Sequence, residues 1–75
     1  MKITVSAGSW ARLWLPQGQT QLELPANAVA QDTLAALGIP PAEVGLFAVN
    51  GTTAPSTTAL SDGDVVRIFP VIMGG

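Results

Sequence analysis

The sequence predicts an α+β domain of two layers, one sheet packed on one helix. Three observations carry this. Period-two alternation marks strands at both ends of the chain, one segment has helical spacing and stop signals, and Gly, Pro, Asn and Asp punctuate the rest. With 75 residues there is room for one domain, and 48% hydrophobic against 11% charged residues suits a single compact core. A chain of this size buries roughly 60% of its unfolded surface, so its stability margin is small.

The first strand is read from MKITVSA, where Ile3, Val5 and Ala7 fall on one side and Lys2, Thr4 and Ser6 on the other. Gly8-Ser9 interrupts it. WARLWLPQG has apolar residues on both parities and closes on Pro16 and Gly18, which reads as an irregular or helical-turn connection. QTQLELP alternates again and predicts a second strand antiparallel to the first. Asn27 is a good helix N-cap, and Ala30, Leu34 and Leu37 follow at i, i+4, i+7. Gly38 and then Pro40-Pro41 end that helix, predicting about ten residues. VGLFAV runs into Asn50-Gly51, the signature of a tight hairpin, and a short strand follows. Asp62-Gly63 is a turn, and DVVRIFP is the last strand. Arg67 prefers water, so Val66 and Ile68 face the core and Phe69 lies on the wetter face, a position suited to partner contact.

Much chemistry is excluded by composition. With no histidine and no cysteine, neither a Ser–His–Asp nor a Cys–His site is possible, and the commonest metal ligands are missing. Lys2, Arg12 and Arg67 are the only cationic side chains in a chain of net charge −2, which argues against nucleic acid as a partner. No apolar stretch nears the ~20 residues that span a bilayer, so no membrane partner is expected. The N-terminus lacks a secretory pattern, so the expected location is cytoplasmic. Asn50-Gly51-Thr52 matches a glycosylation sequon, but a hairpin turn explains it. Asp62-Gly63-Asp64 lacks the remaining ligands of a calcium loop, and a turn explains it too. Nothing in the sequence brings Glu23 and Glu43 together as an acid–base pair. Trp10 and Trp14 suit the edge of a small core better than a ligand platform. No catalytic side-chain constellation is left.

The C-terminal FPVIMGG then stands out. Two glycines contribute no packing, yet chain without Cβ atoms can thread a narrow channel and take any backbone angle inside it. A terminal carboxylate used as an acyl donor needs such a thread, with the globular body serving as recognition handle.

The segments LAALGIPPAEVGLFAVNG and LSDGDVVRIFPVIMGG resemble the ThiS/MoaD-type ubiquitin-like sulfur carrier protein family. The resemblance covers essentially the whole chain. It combines helix–Gly–Ile–Pro, Val-Asn-Gly, Leu-x-Asp-Gly-Asp, a strand ending Phe-Pro, and Gly-Gly. It implies a ubiquitin-like β-grasp fold, with a mixed four- to five-stranded sheet packed on one helix, spanning residues 1–70. A flexible tail ending Gly-Gly is implied over 71–75. By the same resemblance an E1-like adenylating enzyme activates the carboxylate of Gly75, which becomes a thiocarboxylate. A sulfur-acceptor synthase then uses that sulfur in cofactor biosynthesis, for thiamin thiazole or molybdopterin. Gly74 and Met73 are the implied tail, and Phe69 and Ile72 the implied partner contacts. The chain is then a protein co-substrate and not an enzyme. It binds no cofactor or metal itself, and ATP and Mg serve the activating partner. Met73 departs from the small residue usual in the family, and FPVI mixes the two branches. A ubiquitin-like modifier conjugated through Gly75, or a non-catalytic β-grasp interaction module, are the alternatives.

Overall fold

The computed structural model describes residues 1–71. The elements are β1 (Lys2–Ala7), β2 (Gln19–Glu23), α1 (Asp32–Leu37), β3 (Val44–Val49), β4 (Thr52–Ala54) and β5 (Val65–Pro70), with 3-10 turns at Ser9–Ala11 and Pro41–Glu43. They form one five-stranded sheet in the order β2-β1-β5-β3-β4. β1 and β5 are parallel, and every other neighbouring pair is antiparallel. The sheet is therefore mixed, as expected, and β5 is its central strand.

The alternation in β1 and β5 does what period two requires. Ile3, Val5, Ala7, Val66 and Ile68 are all buried, and they join Phe47 of β3 in one face of the core. Ala30, Leu34 and Ile39, from α1 and its flanks, cover that face, with Leu60 and the Ala11–Leu15 connection closing its ends. Trp10 and Trp14 are half-buried against this cluster, which is the packing role the sequence suggested.

The helix differs from its sequence reading. It has six residues, not about ten, and its N-cap position is Gln31, not Asn27. The cause is competition for backbone groups. Ala30 and Gln31 N–H donate to the carbonyls of Thr58 and Ser56, each at 2.9 Å, and Val29 bridges Ala59. Asp32 caps the approach, its carboxylate accepting the Val29 N–H at 2.8 Å. Residues 28–31 are thus held by the 56–60 loop, and tertiary pairing outweighs helical propensity. The helix stop is as expected, with Gly38 left-handed at φ 77°.

Asn50 and Gly51 have φ of 52° and 84°, the two positive values a tight β-hairpin needs. The turn is tied to the start of β5. Asn50 Oδ1 accepts the Val65 N–H at 2.9 Å, and Asn50 Nδ2 donates to Asp64 at 2.9 Å.

Candidate functional site

β5 carries the candidate site because it is both the central strand and the last one described. Val66 and Ile68 are 0% and 1% exposed, while Val65 on the opposite parity is 45% exposed. Phe69 shares that open parity, as the sequence predicted, and is half-buried. Its cross-strand partner is Leu46, which is 43% exposed. The Arg67 guanidinium carbon lies 5.5 Å from the centre of the Phe69 ring, in cation–π range. This contact sets a positive charge beside an apolar surface. Val71, which follows immediately, is 41% exposed. Leu46, Phe69 and Val71 together form an apolar patch where the chain leaves the sheet.

The departure has a defined geometry. Leu46 pairs with Phe69 and Val44 with Pro70, so Gly45 is the extra residue of a β-bulge. Pro70 has no N–H to contribute to the ladder, which an end-of-strand bulge tolerates. Beyond it the Val71 N–H donates to the Glu43 carbonyl at 3.0 Å. Ile72, Met73, Gly74 and Gly75, the other residues expected at the site, lie outside the described residues.

The remaining candidates are not brought together. Glu23 is on β2 and Glu43 beside β3, three strands across and at opposite ends of the sheet. Among the described residues no group of three or more His, Cys, Asp or Glu could hold a metal ion. In the 62–64 turn the carboxylates are engaged by backbone and amide donors. Asp62 accepts the Lys2 N–H at 2.7 Å, and Asp64 accepts the Ser61 N–H at 2.8 Å. A groove of about 510 Å³ runs beside β3 and β4, lined by Leu34, Pro41, Gly45, Phe47, Ala54 and Pro55 among others. None of its lining residues titrates, so it has no acid–base chemistry to offer.

The Asp64 carboxyl is held below its ordinary pKa of 3.8, first by the Ser61 N–H and then by the Asn50 amide. A lowered folded-state pKa contributes stability above the unfolded value, and that stability is lost as pH falls through the folded value. Asp64→Asn is therefore expected to melt below the wild type at neutral pH, with the gap closing below pH 3.8. The contribution is small because the group is well solvated. Thermal melts across the acid range check this, and a gap that stays constant or widens in acid contradicts it.

A mixed five-stranded sheet around one helix, with its central strand ending beside an apolar patch, defines a ubiquitin-like β-grasp domain. The chain belongs to the ThiS family, whose model matches residues 11–75. No curated protein sequence matches it. Several solved structures share the fold. One, from Pyrococcus furiosus and named as molybdopterin converting factor, subunit 1, is 24% identical with a TM-score of 0.79, covering 96% of this chain and 99% of that one. SAMP1 from Haloferax volcanii is 21% identical with a TM-score of 0.77, each chain fully covered. Urm1 from Trypanosoma brucei is 21% identical with a TM-score of 0.70, over 99% of this chain and 95% of that one. Among the described residues no helix is long and apolar enough to cross a membrane.

Proposed function

We propose that this chain is a cytoplasmic sulfur carrier, a protein co-substrate whose working group is the carboxylate of Gly75. A carboxylate oxygen of Gly75 attacks the α-phosphorus of ATP in an E1-like, Mg-dependent partner, and pyrophosphate leaves. A hydrosulfide-level sulfur nucleophile then attacks the acyl carbon, AMP leaves, and the product is a thiocarboxylate. A synthase takes that sulfur into a cofactor precursor, the thiamin thiazole or a molybdopterin. Gly74 and Met73 form the thread into the activating site, and Phe69 with Ile72 hold the body against the partner.

The observation that carries this reading is the family match, which runs through Gly75 itself. Phe69 supports it, because its ring lies on the open face within two residues of the chain's exit from the sheet. The direct test is ATP–pyrophosphate exchange by an E1-like enzyme of this family, with and without the chain. Exchange that depends on the chain is expected, and exchange indifferent to it contradicts the reading. Conjugation to target lysines through Gly75 is the second reading. One similar structure is named as small archaeal modifier protein 1 from Haloferax volcanii, at 20% identity and TM-score 0.76, over 95% of this chain and 98% of that one.

Phe69→Ala separates docking from folding. Loss of an aromatic anchor at an interface costs at least about 2 kcal/mol, or roughly thirtyfold in KM for the activating enzyme. The ring is only half-buried in the free chain, so the stability loss is expected to stay under about 1.5 kcal/mol. Steady-state kinetics beside a denaturation curve check this. A variant that mainly unfolds, with KM unchanged, contradicts the assignment.

A further inference from the structure

Gly45 is the residue on which the last described part of the chain rests. A Cβ placed on Gly45 meets the Pro70 carbonyl oxygen at 2.6 Å, the Pro70 carbonyl carbon at 3.1 Å and the Val71 Cα at 3.2 Å. All three are backbone atoms, which cannot swing aside as a side-chain end can. The glycine is needed here for space, not for an unusual φ. It is also the bulge residue of β3, and a bulge bends its strand and changes where neighbouring residues aim. The Glu43 carbonyl, two residues before Gly45, accepts the Val71 N–H at 3.0 Å and fixes the same turn from the other side. The close approach at Gly45 and the hydrogen bond at Val71 together set the direction in which the chain leaves the sheet.

We infer that Gly45 is a positioning residue for activation: its missing side chain lets the Pro70–Val71 backbone lie against β3, and the partner needs that course of the exit in order to receive the Gly75 carboxylate. The inference rests on the sulfur-carrier reading. It acts through Pro70 and Val71 and touches no reacting atom. A side chain at 45 pushes the Pro70–Val71 backbone off β3. Phe69 and Leu46 stay paired in the ladder and of the described patch only Val71 moves, so docking is weakened less than the chemistry.

The test uses the full chain with the E1-like enzyme and Mg-ATP, reading pyrophosphate exchange as the chain's concentration varies. Gly45→Ala is expected to lower kcat by on the order of ten- to a hundredfold, as small misplacements of reacting groups do, with KM changed less than about threefold. Its Val71 amide is expected to exchange with deuterium at least about tenfold faster, its bond to Glu43 being broken. Val71→Pro removes the same hydrogen bond while leaving Gly45 itself intact, and is expected to lower kcat in the same way. Ile3→Val trims the core at the other end of the sheet, beside the start of β5, and is expected to leave both kinetic constants unchanged. An unaltered kcat in a folded Gly45→Ala, or a rise in KM alone, overturns the inference. If Gly45→Ala does not fold, Val71→Pro decides, and an unchanged kcat there overturns it. Absence of activation in the wild type sinks the carrier reading instead, and the amide-exchange arm still reports whether Gly45 holds the exit.

Discussion

Deletion of Gly74 and Gly75 is expected to abolish activation of the chain entirely while leaving its unfolding transition in place. The account makes Gly75 the acyl group and Gly74 the thread, so nothing else in the molecule can replace them. Among the described residues the core ends at Ile68, and the last backbone tie is the Val71 bond to Glu43. Removing residues 74–75 takes away neither. Thermal unfolding should therefore shift by less than about 1–2 °C, since each kcal/mol corresponds to roughly 4–8 °C in a domain of this size. Appending one residue after Gly75 is expected to do the same, because a displaced carboxylate no longer meets the α-phosphate. Pyrophosphate release together with calorimetry checks both variants. Activation that survives in either variant makes the glycines incidental and favours the interaction-module reading.

Ile68→Ala is expected to produce the opposite pattern, a folding defect with no specific kinetic one. Ile68 is 1% exposed on the central strand, paired with Ala7 on one side and Phe47 on the other. Truncating such a residue removes its transfer free energy and leaves a cavity, costing about 2–5 kcal/mol. Native domains hold about 5–15 kcal/mol in total, and one of this length belongs near the lower end. The loss should lower the melting temperature by roughly 10–30 °C and leave a substantial unfolded fraction at physiological temperature. Phe69→Ala, one residue further along, is expected to spare the fold and impair docking. The pair tests the parity of β5 directly. A stable Ile68→Ala beside an unfolded Phe69→Ala would reverse the assignment of the two faces.

That parity was legible in the sequence because Arg67 marks the wet side of DVVRIFP and the side chains of a strand alternate strictly. The buried side of β1 and the Asn50-Gly51 turn were legible for equally local reasons. The helix start was not. Its limit is set by hydrogen bonds from residues 30 and 31 to a loop more than 20 positions away, and no local propensity reports those. The Asn50–Asp64 tie, the parallel pairing of the two terminal strands and the close approach of Gly45 to Pro70 are long-range in the same sense. VGLFAV carries no sign of the bulge, because Val44-Gly45-Leu46 alternates as a regular strand does and the apolar run that follows fixes no register. At the candidate site, Phe69 could be placed from sequence because it follows from β5 alone. Gly45 could not, since its importance comes from a strand 25 residues later.

The central claim is that Gly75 carries sulfur as a thiocarboxylate, and intact mass tests it most directly. The chain is incubated with a matched E1-like enzyme, Mg-ATP and a sulfide source, then weighed whole and after digestion. The account predicts a gain equal to exchanging one oxygen for sulfur, confined to the C-terminal peptide and absent without ATP. An unchanged mass, with no acyl-adenylate formed by any of several family activators on a fully folded chain, would contradict it.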